Sequence, residues 1–361
     1  MDQGRGRESG RESGEASQPP KVVLVTGACR FLGGYLTARL AQNSSIDRVI
    51  AVDAVTPSKD LLRRMGRADF VRADIRNPFI AKVIRNGDVD TVVHAAAASY
   101  APRSGGRATL KELNVMGAMQ LFAACQKAPT VRRVILKSTS EVYGSSALDP
   151  VMFTEDSSAR RRPREGFGSD SIDIEGYARG LGRRRGDISV TILRLANMIG
   201  PAMDTALSRY LAGPLVPTVL GRDARLQLLH EQDALGALEH ATMVGRPGTF
   251  NIGASGIIMM SQAIRRSGRI GVALPSLGGV IDSVLATFRG RESNRDQLDY
   301  MSYGRVMDTT RMRTELGYQP KWTTMEAFDD YVRGHGLTPI VDAGWVRSVE
   351  SRAVAAANRW G

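Results

Sequence analysis

The stretch KVVLVTGACRFLGGYLTARLAQ, residues 21 to 42, constrains the fold more than any other part of the chain. Val22 to Thr26 form a continuous apolar and β-branched run, the pattern of a strand covered on both faces. Glycine then turns the chain, and Leu32, Tyr35, Leu36 and Leu40 recur at helical spacing. A buried strand that feeds directly into a helix belongs to a parallel sheet, because parallel neighbours need a crossover and a helix is the usual one. The fold class expected is therefore α/β, with a doubly wound parallel sheet.

The same stretch makes a phosphate site. A helix N-terminus offers free N–H groups and the positive end of a dipole, and glycine lets a pyrophosphate approach the backbone. A second strand, RVIAVDA, ends in Asp53, 20 residues after Gly33, the interval at which an acidic side chain reaches an adenosine ribose. Dinucleotide binding is the expectation. Asp53 repels a 2′-phosphate, which favours NAD over NADP. In Gly27-x-x-Arg30-x-x-Gly33 the middle glycine of the fingerprint is an arginine. Its Cβ crowds a bound pyrophosphate, while its guanidinium can equally pair with a phosphate.

The remaining composition narrows the function class. A net charge of +12 invites nucleic acid, but the positive residues are spread along the chain and only seven of the 49 are lysine. Aromatic residues are not interleaved with the local clusters at Arg160 to Arg164 and Arg183 to Arg185, so nucleic-acid binding is disfavoured. Two cysteines, Cys29 and Cys125, cannot build a disulfide framework, and no Cys/His spacing suggests a metal; a reducing, cytoplasmic setting is expected. Residues 1–20 mix charge with Gly and Ser and end in two prolines, the composition of a disordered tail. No run approaches the roughly 18 apolar residues of a membrane span.

Nine segments, VTGACRFLGGYL, FVRADIRNP, DTVVHAAAAS, LNVMGAMQLFAAC, STSEVYGSS, LRLANMIGP, LLHEQDALGAL, FNIGASG and RTELGYQP, occur in the order and spacing of the extended short-chain dehydrogenase/reductase family. Over about residues 21 to 330 the chain resembles the NAD-dependent epimerases/dehydratases of its UDP-glucose 4-epimerase-like branch in actinobacteria. The resemblance implies a Rossmann-type sheet at 21–200, with 230–253 returning to it. It also implies an interleaved substrate lobe at 201–229 and 254–330; the extension at 331–361 lies beyond the resemblance, and RSVESRAVAAANRW within it suggests a terminal helix. It puts Gly27, Arg30, Phe31, Leu32 and Gly33 around a pyrophosphate, Asp53 on the ribose, and Asp74 with Ile75 beside the adenine. Ala95, Ala96 and Ala97 line the nicotinamide side, and Asn114 takes the place of the family's helix asparagine. Asn197 and Arg225 match positions that hold the phosphates of a nucleotide sugar. Family dimers built from a helix bundle suggest a homodimer.

The catalytic pattern departs from the family. There, a tyrosine acts as base, and a lysine four residues on lowers its pKa. Aligned from either side, this chain has Phe167 at the tyrosine position and Ser171 at the lysine position, with Glu175 matching a glutamate one turn later. Phenylalanine has no proton to give, and serine is no cation. Tyr177 as a substitute base leaves Leu181 at the lysine position, and Ile174, Tyr177 and Leu181 make an i, i+3, i+7 stripe that reads as core. Tyr143 in the VYG turn reads as structural. The family's Ser/Thr hydroxyl is present as Thr139, and Glu141 resembles the acid of sugar 4,6-dehydratases, without its partner aspartate. Two readings remain open: an NAD-binding nucleotide-sugar protein using Thr139 and Glu141 in nonstandard chemistry, or a noncatalytic dinucleotide sensor or protein-interaction scaffold. An arginine-driven polyanion binder is a third, weaker alternative.

Overall fold

A computed structural model of the chain describes residues 19–96, 106–160, 163, 166–274 and 295–340. Ala97, Arg161, Arg162, Arg164, most of the expected tail and the chain after residue 340 lie outside the described residues.

Seven parallel strands form the main sheet: β1 (Val22–Thr26), β2 (Arg48–Asp53), β3 (Asp69–Arg72), β4 (Thr91–His94), β5 (Arg133–Thr139), β6 (Ser189–Leu195) and, later in the chain, β11 (Gly248–Ile252). Their spatial order is β3-β2-β1-β4-β5-β6-β11. The central register sets Val25 beside Ala51 on one side and Val93 on the other. The winding reverses between β1 and β4, and a crevice opens there outside the carboxyl ends of the strands. Thr26, Asp53, His94 and Thr139 all stand at that edge.

Both faces are covered, which explains why the central strands carry apolar runs instead of alternation. Helices α1 (Phe31–Gln42) and α8 (Glu231–Val244) close one face through Leu36, Leu40, Leu235 and Leu238. Short helix α2 (Lys59–Met65) packs its Met65 in a small cluster with Ala28 and Ala51 of β2. The other face is closed by α3 (Phe79–Asn86), α5 (Gly117–Lys127) and α6 (Gly166–Arg184), through Ile80, Phe122, Ile174 and Leu181. Leu36 is fully buried, so Leu36→Ala should cost about 3 kcal/mol. Between α4 (Arg107–Lys111) and α5 the backbone makes one wide turn, in which Gly117 N–H reaches the carbonyl of Glu112 five residues back.

A second core sits beyond the carboxyl edge. It is built on β7 (Asn197–Ile199) paired with β10 (Leu228–His230), β8 (Leu215–Val219) with β13 (Ile270–Leu274), and β9 (Arg225–Leu226) between β12 (Ile258–Met259) and β14 (Gly304–Arg305). Among the described residues four helices, α7 (Ala206–Ala212), α9 (Met260–Arg266), α10 (Arg295–Tyr303) and α12 (Thr324–Gly334), pack around them, and Tyr210, Leu211, Phe328 and Tyr331 fill the centre. The short α11 (Thr310–Thr314) packs instead against β11. A capping box between Thr323 and Glu326 starts α12, and beyond its end Ile340 N–H donates to Gly268 C=O at 3.1 Å.

Candidate functional site

At the β1–α1 turn the backbone is forced by close approach. Gly27 has φ +75°, and a Cβ on it would lie 2.6 Å from the Cα of Ala96 on the far side of the crevice. A Cβ on Gly33 would lie 2.2 Å from the Gly27 carbonyl oxygen. Neither position admits a side chain without moving backbone. Arg30 is different: it is the residue that starts α1, its φ of −96° is open to any residue, and its side chain is exposed. The turn therefore tolerates arginine where the fingerprint has its middle glycine. Leu32 is buried, and Phe31 is half-buried against Tyr35 with ring centroids 4.7 Å apart.

Asp53 at the end of β2 braces this turn. Its carboxylate accepts from Cys29 N–H at 2.9 Å and from Val55 N–H at 3.2 Å. Burial and the neighbouring Asp53 charge push the Cys29 thiol up to about 11, so it is no ready nucleophile. Asp74 is engaged as well: Arg76 donates to it with Nη2 at 2.6 Å and holds its carboxyl below the usual range. Ile75 is buried next to Gly117, whose absent Cβ leaves room for it. Ala95 is buried and Ala96 half-buried at the end of β4. Just before them, His94 bonds Thr26 Oγ1 through Nδ1 at 2.8 Å, and burial, aided by the Lys137 charge, pulls its pKa down to about 4.

The β5–α6 region is built from side chains. Thr139 is buried at the end of β5, and its Oγ1 accepts from Glu141 N–H at 3.2 Å. Glu141 is half-buried; burial raises its pKa, against the pull of Arg305 and Lys137. Phe167 and Ser171 stand one turn apart on α6, both buried. Asn114, in the wide turn before α5, donates to Asp170 at 3.1 Å and so ties that turn to α6 beside Ser171. Glu175 is clamped: Ser138 Oγ donates to it at 2.6 Å, Arg194 Nη2 at 2.7 Å and Arg179 Nη1 at 2.9 Å. Burial alone would raise the Glu175 pKa, but these donors hold it below its ordinary value. Tyr143 extends the network, donating to Asn251 at 2.6 Å and accepting from Arg194 at 2.8 Å. Tyr177, expected in the core stripe, is 37 % exposed; Ile174, Ala178 and Leu181 form the buried stripe instead.

Lys137 was not singled out by the sequence. It lies on β5, 9 % exposed, with its Nζ 4.9 Å from the centroid of the Phe167 ring. Burial, with Arg30 nearby, lowers its pKa to about 8. The available signal was a lysine inside a strand whose other members are all buried.

On the lobe side, Arg225 and Arg222 line a cavity of about 270 Å³ with Asp149, Asp223, Tyr303 and Arg305. Asn197 is not among its walls; it lies beside the buried hydroxyl of Tyr300, which has no hydrogen-bond partner among the described residues. Arg305 also escaped sequence reasoning, because its partners are some 160 residues away. It donates to Gly144 C=O at 2.7 Å and to Ser140 and Ser145 hydroxyls at 3.2 and 3.1 Å, while stacking 5.1 Å over Tyr300. Among the described residues, no three His, Cys, Asp or Glu side chains gather as a metal site, and no helix is long and apolar enough to cross a membrane.

Comparison with known proteins bears on this edge of the sheet. A model of a family described as the NAD dependent epimerase/dehydratase family matches residues 23–253. An uncharacterized protein of Mycobacterium tuberculosis is 78% identical over 348 residues, covering 96% of this chain and 93% of that one. Among solved structures, the UDP-glucose 4-epimerase of Thermotoga maritima with UDP-glucose superposes with a TM-score of 0.66 at 20% identity, covering 87% of this chain and 98% of that chain. The UDP-glucuronic acid 4-epimerase of Bacillus cereus, in complex with UDP-glucuronic acid and NAD, gives 0.65 at 22%, covering 88% and 100%. These structural likenesses concern the fold.

Proposed function

From the premise that the chain belongs to the NAD dependent epimerase/dehydratase family, we propose that it binds NAD at the carboxyl edge of the sheet and a nucleotide sugar in the cleft facing the second lobe. The observation that carries this reading is the cradle at Gly27 and Gly33, where bare backbone meets the start of α1 and Asp53 stands at the next strand end. In this reading Gly27, Arg30, Phe31, Leu32 and Gly33 surround the pyrophosphate and Asp53 takes the ribose. Asp74 and Ile75 flank the adenine, the alanines after His94 line the nicotinamide side, and Asn114 supports α6 from behind. NAD supplies a hydride acceptor when bound; the chain positions the sugar against it. Arg225 lies in a cavity with two further arginines, and their forked donors suit a diphosphate. Asn197, beside Tyr300, is the second group assigned to the phosphates of the sugar nucleotide.

The domain division follows the same reading: 21–200 with 230–253 as the dinucleotide body, and 201–229 with 254–330 as the lobe that holds the sugar. Met119 and Tyr177, exposed on the neighbouring helices α5 and α6, mark the face on which a second copy would pack.

Two solved relatives of similar fold hold UDP-sugars, and one of them holds NAD as well. With Phe167 and Ser171 in place of the tyrosine and lysine, turnover does not follow the tyrosine route. The test is to denature the purified protein and identify the released small molecules by mass spectrometry. Near-stoichiometric NAD, with or without a nucleotide sugar, is the expected result. A protein that releases none and takes up none when NAD is added would overturn the reading in favour of a scaffold without cofactor.

A further inference from the structure

The β5–α6 region lacks the tyrosine and lysine on its helix, yet it holds a lysine on its strand. Lys137 precedes Thr139 by two residues, so the two side chains leave β5 on the same face. Its stem is buried and its Nζ reaches the face of the Phe167 ring at 4.9 Å. That ring stands where the family resemblance places the tyrosine. An amine has therefore come to the neighbourhood of the missing phenol from the sheet instead of the helix.

The charged surroundings decide what such an amine can do. Arg30 at the start of α1 disfavours its ammonium form, and Glu141 from the turn after β5 favours it. His94 from β4 shares the region and is held neutral there. From α6, among the described residues, the uncharged Phe167 ring lies against it. Desolvation is the largest influence and works with Arg30, so the amine loses its proton at about pH 8, well below an ordinary lysine. A group poised there can take and return protons under physiological conditions, which an ordinary lysine cannot.

We propose that Lys137 is the proton-transfer group of this site, replacing the tyrosine route by way of β5. The inference rests on the nucleotide-sugar reading above. In the step assigned to it, the neutral amine uses its lone pair to accept the proton of a sugar hydroxyl as that O–H bond breaks. The carbon bearing the hydroxyl loses its hydrogen with both electrons to an oxidised nicotinamide, and the carbonyl forms. In reverse, the ammonium returns the proton. Thr139 holds the hydroxyl in line, and Glu141 stabilises the ammonium once it has formed.

Two measurements on the full-length protein test this. The first follows acetylation of Lys137 by trace acetic anhydride against pH, with peptide mass spectrometry as readout, with and without added NAD. A midpoint near 8 is expected; a midpoint at an ordinary lysine's value, about 10.4, would overturn the inference. The second loads the protein with NAD, adds UDP-glucose, UDP-galactose or UDP-glucuronic acid as probes, and records reduction of the bound cofactor in one turnover. Lys137→Met should slow that reduction at least 100-fold while the dissociation constants of NAD and probe stay within threefold. Lys137→Arg, which keeps the charge but cannot release a proton, should fail in the same way.

Equal rates in wild type and Lys137→Met would overturn the inference. So would binding of NAD and probe by the wild type with no reduction by any of the three, a result that leaves the binding reading standing. Failure of the wild type to bind NAD at all would instead remove the underlying reading.

Discussion

The two halves of the crevice are built from different materials. At β1–α1 the cradle is backbone: two glycines whose neighbours leave no room for a Cβ, and an N-terminus whose N–H groups exist whatever the side chains are. At β5–α6 the arrangement is side chains meeting side chains, with Ser138, Glu175, Arg194 and Tyr143 bonded in sequence and Lys137 over Phe167. A site made of backbone survives substitution, as Arg30 illustrates. A site made of side chains can lose its chemistry in two substitutions while the scaffold stands.

The largest expected effect breaks the side-chain half. Arg194→Met leaves Glu175 with a buried charge that Ser138 and Arg179 cannot fully satisfy, and should cost about 3–5 kcal/mol in urea unfolding. Adding Glu175→Gln should recover much of that loss. If Arg194→Met unfolds at the wild-type midpoint, the network does not hold α6.

The next effect lies on the strand between the halves. His94 has its pKa lowered to about 4 in the folded protein, against an ordinary 6.5. Between these values the unfolded chain takes a proton and the folded chain does not. Its contribution to stability is thus complete above pH 6.5 and is lost as pH falls toward 4, by about 3 kcal/mol in all. The wild type should lose more stability over this window than His94→Gln, and parallel curves for the two would refute the assignment.

The backbone half is sharpened by Gly33→Ala. The added Cβ needs the Gly27 carbonyl to move, so NAD affinity should fall about 100-fold, or about 2.7 kcal/mol, in calorimetric titration. The protein should still fold, because the displaced atoms border the crevice and not the core. Retained affinity would show that the pyrophosphate does not lie in this turn.

The sheet was readable because Val22–Thr26 is a continuous apolar and β-branched run, the mark that a strand covered on both faces leaves in sequence. The cradle was readable for a related reason: Gly27, Gly33 and Asp53 sit close together along the chain. Lys137 was not, since one lysine in a strand carries no sign of the Phe167 ring 30 residues later. Arg305 was hidden by a longer stretch of chain, as its partners Ser140 and Gly144 lie some 160 residues earlier. Tyr177 misled because i+3 and i+4 both fit a helical stripe, and α6 buries Ala178 instead.

The clamp on Glu175 has a consequence for protein engineering. Sliding α6 by one residue would turn every side chain by about 100°, and three donors on one carboxylate resist that. Whatever is written at 167 and 171 will therefore be presented at the same two points of the crevice. That makes the helix a fixed mount for grafted chemistries, one in which a new pair can be judged by its own reactivity without first asking whether the frame has shifted.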